Sequence, residues 1–150
     1  MPDRRADPRE SRGRRIWIVN HYASGPDEPS GSRHYALARE LVARGHAVTV
    51  FAAAFGHNAN VGRRLTAGSL YRGEWFDGVR FVWLRTFPYH GNDWRRQLNM
   101  LSFLAVFLVV QTRDRAPDVV IGSTVHPFAA FGGWLAARLR RSRFVFEIRD

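Results

Sequence analysis

Residues 15–54 read RIWIVNHYASGPDEPSGSRHYALARELVARGHAVTVFAAA, and the fold follows from this stretch. Its opening, Arg15 to Asn20, is short and almost wholly apolar, the pattern of a central parallel strand buried on both faces. A loop rich in Gly, Pro and Ser runs from His21 to Gly31. Ser32 is placed to cap a helix whose apolar positions include Tyr35, Leu37, Ala38, Leu41 and Val42. Gly45 stands where a left-handed C-terminal cap belongs. Ala47 to Ala54 is a second run of β-branched and small apolar residues. Strand, loop, helix and strand make a βαβ unit with a right-handed crossover.

Downstream, residues 56–78 are polar, Gly-rich and dotted with Arg, and read as a long excursion rather than an element. Val79 to Leu84 reads as a third strand. Arg85–Asp93, with Pro88, Gly91 and Asn92, is a loop, and Trp94 to Arg115 reads as a long helix. Pro117 blocks its continuation, so Asp118 to Ile121 starts a fourth strand. A further helix runs from about Pro127 to Arg140, and Phe144 to Ile148 is the last strand. This alternation predicts an α/β fold, a doubly wound parallel sheet of five strands in the order 3-2-1-4-5. Such sheets bind ligands beyond the carboxyl ends of their strands, at the switch between the first and fourth. The loops after Asn20 and after Gly122 are therefore the places to seek a site.

Composition narrows the class. At 150 residues the chain has the size of one domain, and 45% hydrophobic with 24% charged residues excludes wholesale disorder. No run of 18 apolar residues exists, which excludes a conventional membrane span. The absence of Cys excludes disulfide scaffolds, Cys-based zinc sites and thiol catalysis. Formal net charge is +10, and all 23 basic residues are Arg. A positive chain favours phosphates, nucleic acid or an acidic membrane leaflet. Six of the Arg fall in the first 15 residues. Residues 1–13 read as a disordered basic arm without the apolar core of a secretory signal, and residues 14–150 as the domain. Elsewhere the Arg are scattered, no recognised module appears and aromatics are not interleaved as in an RNP motif, so nucleic acid is not an expected partner.

Four segments could carry chemistry. Ser24 to Arg33 leaves the first strand and opens a helix, where Gly backbone and helix N–H groups suit phosphate. It matches neither dinucleotide nor P-loop patterns, and an ordinary loop is the other reading. His126 precedes Pro127, a favoured first helical residue, so it sits at the crevice beyond the fourth strand, as a cap or as a ligand contact. Glu147, Arg149 and Asp150 close the last strand. Alternation puts Glu147 and Arg149 on one face, toward the crevice or in an internal salt bridge. Leu98 to Val110 carries only Asn99 and Ser102 as polar residues. Its thirteen residues reach about 20 Å, too short to span a bilayer, so it is a buried helix or one facing lipid or a partner. The flanking Arg95, Arg96, Arg113 and Arg115 suit an anionic membrane surface. The other histidines, His21, His34, His46, His57 and His90, show no metal-ligand spacing.

Asn20-His21-Tyr22, Gly31 through Leu41, and Arg44 through Val50 together resemble the opening of the family 4 glycosyltransferases. Pro88-Tyr89 with Asn92, Arg96 and Asn99 through Phe103 resembles the WbuB-like branch. So do Pro117 through Ser123 with His126-Pro127, and the closing Phe146 to Asp150. The resemblance implies a Rossmann-like N-terminal half of a GT-B fold, in which this half holds the acceptor and a second domain the nucleotide-sugar donor. It implies retaining sugar transfer with a nucleotide sugar as co-substrate and with no cofactor or bound metal. The acceptor is then lipid-linked or a polysaccharide precursor, at the cytoplasmic face of the membrane. By position, Gly31, Ser32 and Arg33 would bind the donor diphosphate. His126 would be the catalytic residue beside the donor sugar, and His21, Glu147, Arg149 and Asp150 would line the acceptor side. Ser30 stands before Gly31 where relatives often carry a second glycine. Family chains continue past the Arg-Asp pair, so residues 14–150 are expected to be an incomplete domain, inactive without a donor half. The alternative is a non-catalytic nucleotide- or lipid-binding module. A Rossmann dehydrogenase is disfavoured by the missing glycine fingerprint after the first strand.

Overall fold

The computed structural model describes residues 13–28, 33–54, 65–91, 93–124 and 127–148. Strand β1 (Arg15–Val19), helix α1 (Arg33–Ala43) and strand β2 (Ala47–Ala53) form the expected βαβ unit. β1 and β2 pair in parallel from Arg15 opposite Ala47 to Val19 opposite Phe51. Gly45, at φ +89°, ends α1 as expected. Its N–H bonds the Val42 carbonyl at 2.9 Å and the His46 N–H bonds that of Leu41 at 3.1 Å, which satisfies carbonyls the helix leaves open.

The chain continues through β3 (Tyr71–Phe76), β4 (Val79–Leu84), α2 (Trp94–Val110), β5 (Val119–Ser123), α3 (Pro127–Arg140) and β6 (Arg143–Glu147). The sheet has six strands in the order β3-β4-β2-β1-β5-β6. From β4 to β6 all pairs are parallel, in the order the sequence predicts for five strands. The sixth strand is a correction. β3 lies inside the segment read as an excursion and pairs antiparallel with the edge of β4. Asp77 and Gly78, at φ 49° and 79°, make the two-residue turn that joins them. Two boundaries also move. α2 stops at Val110, followed by one turn of 3-10 helix over Gln111–Arg113. There Arg140 Nε, from α3, donates to Gln111 Oε1 at 3.0 Å. The last strand begins at Arg143 and ends at Glu147.

Alternation along β1 sorts the two layers. Ile16 and Ile18 face α1, packing with Tyr35 and Ala38. Trp17 and Val19 face α2 and α3, packing with Phe103, Phe107 and Ala129. Apolar almost all round in sequence, α2 buries Met100, Phe103, Phe107 and Val110 and leaves Leu101 and Val109 exposed. Among the described residues no helix is long and apolar enough to cross a membrane.

Close approach of α3 to the sheet depends on small residues. A β-carbon on Gly122 would stand 2.8 Å from the Phe144 ring and 3.2 Å from the α-carbon of Ala130. Gly122→Ala is therefore expected to destabilise the fold by about 1–3 kcal/mol through overpacking. Thermal unfolding checks this, and an unchanged Tm would show that the contact yields freely.

Candidate functional site

Asn20 and His21 follow β1 directly, at its carboxyl end, and are 1% and 2% exposed. The alternation of β1 carries through them, so Asn20 turns toward α1 and His21 toward α2.

On the α1 side, the Tyr22 N–H donates to Asn20 Oδ1 at 3.0 Å. The Asn20 amide nitrogen then meets the His34 ring, 3.0 Å from Nδ1 and 3.3 Å from Nε2. His34 Nε2 lies 2.8 Å from Glu147 Oε2. The other carboxylate oxygen is 3.4 Å from the exposed Arg33 guanidinium. The Glu147 backbone is held as well, its carbonyl accepting the Thr124 N–H at 3.0 Å. Burial works against the Glu147 charge, but His34, then Ser123 and last the Arg33 charge together outweigh it and hold the carboxyl below its ordinary range.

On the α2 side, His21 Nε2 is 2.5 Å from Asn99 Oδ1. Asn99 Nδ2 donates to the Phe87 carbonyl at 2.6 Å and to Thr86 Oγ1 at 3.0 Å. That orientation leaves Oδ1 as acceptor, so His21 carries its proton on Nε2. The ring packs on Tyr22 and Phe103, with centroids 4.5 and 5.1 Å away. Burial lowers the His21 pKa to about 4; the Asn99 bond opposes the fall and the Arg96 charge adds to it.

Of the residues singled out in the sequence, Glu147 and Arg33 come together at the carboxyl end of the sheet. His21 lies there too, but its polar edge is engaged with Asn99 inside the wall. Gly31, Ser32, His126, Arg149 and Asp150 lie outside the described residues, as does the arm apart from Gly13. Asn20, His34 and Asn99 are additions to the set of sequence candidates. Asn99 carried a signal, since an amide inside an otherwise apolar helical segment needs a partner. Beside this end of the sheet, an apolar cavity of about 350 Å³ opens between α3 and β6, lined by Pro127, Phe131, Trp134, Phe144 and Phe146. Among the described residues no three His, Asp or Glu gather as a metal ion would require.

The sequence pattern of the glycosyl transferase 4-like domain matches residues 30–150, most of the chain. The chain belongs to that family. No curated protein matches it. Membership of the glycosyl transferase 4-like family implies, in general terms, a sugar donor and an acceptor as substrates. The Rossmann-like architecture above agrees with it.

The buried neutral His21 makes the domain acid-sensitive. Between pH 6.5 and about 4 the unfolded chain binds a proton at His21 that the folded chain refuses. Stability should therefore fall as pH drops through that window, by about 3 kcal/mol in all. Glu147 acts in the same direction, but only below its unfolded value of 4.5, where its protonation removes a stabilising charge. Urea unfolding at pH 7 and pH 5 checks the His21 part. His21→Gln should flatten the slope between those pH values, and an unaltered slope would assign it elsewhere.

Proposed function

We propose that the chain is the acceptor-side part of a retaining glycosyltransferase of the WbuB-like branch. It would help move a sugar from a nucleotide sugar to a lipid-linked or polysaccharide-precursor acceptor, at the cytoplasmic face of the membrane. The observation that best supports this is the ionised Glu147 beside Arg33 where α1 begins. A carboxylate accepts sugar hydroxyls, while a guanidinium and a helix N-terminus attract phosphate. Arg33, with Gly31 and Ser32, would meet the donor diphosphate. His126 would stand beside the donor sugar as the catalytic residue. Glu147, Arg149 and Asp150 would line the acceptor side, with His21 supporting the wall behind them.

In this reading the acceptor oxygen bonds the anomeric carbon on the face from which the nucleoside diphosphate departs, and the hydroxyl proton passes to the departing phosphate. The dominant catalytic need is then charge stabilisation on the departing diphosphate, met by cationic and N–H donors. No cofactor or metal is expected. Most of those donors would belong to a donor-binding half, so the 150 residues are expected to give no turnover by themselves.

The membrane would be met through the outer face of α2. Trp94, Leu101 and Val109 are exposed there, and the Arg95 guanidinium lies over the Trp94 ring at 5.7 Å. Anionic vesicles should therefore bind the protein better than neutral ones, and less so at high salt.

A nucleotide-sugar panel with membrane lipid extract tests the central reading in the complete enzyme. Glu147→Gln and His126→Ala should each lower kcat/KM by about 100-fold or more with little change in Tm. Losses that only track a lowered Tm would reduce both residues to structural parts. Turnover by the purified 150-residue chain would contradict the division of labour.

A further inference from the structure

Asn20, His34 and Glu147 come from β1, α1 and β6, and the first two are buried beyond the reach of a ligand, at 1% and 3% exposed. The direction of every hydrogen bond among them is nonetheless determined. The Tyr22 backbone N–H can only donate, so the Asn20 atom it meets at 3.0 Å is Oδ1, and the amide nitrogen is left for His34. An ionised carboxylate can only accept, so His34 Nε2, 2.8 Å from Glu147 Oε2, carries a proton. That nitrogen is then no acceptor, and the Asn20 amide donates to Nδ1 at 3.0 Å. Three donors in succession point the same way, from backbone to carboxylate, and such chains polarise one another.

We propose that Asn20 and His34 are positioning residues for Glu147. Asn20 fixes the His34 tautomer, and His34 fixes one carboxylate oxygen so that the other, beside Arg33, is presented to a ligand hydroxyl. The proposal rests on the sugar-transfer reading only for what Glu147 meets, not for how it is held. The physical need for such a chain is plain at this position. Glu147 is the last residue of an edge strand, and its largely buried side chain has three rotatable bonds that hydrogen-bond partners must choose among. The depressed Glu147 titration agrees with a carboxylate that receives a hydrogen bond in its charged form.

Nitrogen-15 NMR of the full chain reads the His34 tautomer, and carbon-13 NMR of the Glu147 carboxyl reads its titration. The neutral His34 ring should show a protonated Nε2 and a bare Nδ1. His34→Gln keeps an N–H within reach of the carboxylate and should retain most of the lowered titration midpoint. His34→Leu should raise that midpoint by about one pH unit, because burial is then less opposed. A ring protonated on Nδ1 instead, or a Glu147 midpoint unmoved by His34→Leu, would overturn the proposal. The tautomer is read in the unmutated protein, so a variant that fails to fold leaves the test standing. No sugar turnover enters the measurement, so its outcome and that of the turnover assays are separable.

Discussion

At the carboxyl end of β1, two buried asparagines hold two buried histidines, one pair on each side of the sheet. Asn20 engages His34 at the start of α1, and Asn99 of α2 engages His21. Buried amides and imidazoles cost about 1–3 kcal/mol each when left unsatisfied, so such a cluster tolerates few arrangements. Its geometry ties β1 to α1 and β6 on one side. On the other it ties β1 to α2 and to the loop after β4 through Thr86 and Phe87. These are the elements that border the crevice, so its shape is set by polar partners while the apolar layers supply the bulk of the core.

The two sides differ in electrical character, and in the proposed reading that difference serves a sugar site. His21 is held neutral, chiefly by burial, and forms a dry wall with Phe103. Glu147 is held ionised by its partners against the effect of burial, and reaches the rim beside an exposed arginine. A neutral wall and a charged rim suit a ligand with both a sugar ring and a phosphate, since the charges meet solvent and ligand while the wall excludes water.

Much of the architecture was legible because it is periodic. The βαβ opening, the parallel order and the span of α3 follow from apolar runs and from Pro127 and Gly45. β3 escapes the sequence pattern because Arg72, Gly73 and Glu74 interrupt its apolar alternation, although Asp77-Gly78 carries a hairpin signal. The end of α2 depends on Arg140 meeting Gln111 across 29 residues, a tertiary contact that local pattern does not encode. The site divides in the same way. Arg33 and Glu147 are visible as charges at a helix start and a strand end. Asn20 and His34 lie 14 residues apart, and His21 and Asn99 are separated by 78, so only the finished topology pairs them.

Hydrogen exchange at the Tyr22 amide tests this account most directly. That N–H lies three residues past the end of β1 and its partner is the buried Asn20 side chain, at 3.0 Å. If the amide–imidazole cluster is as fixed as the core, Tyr22 should exchange as slowly as Ile18 within β1, through global unfolding. Asn20→Ala should release Tyr22 while Ile18 stays protected. A Tyr22 amide that exchanges in the unmutated protein at the rate of an open loop would contradict the claim that the end of β1 organises the crevice.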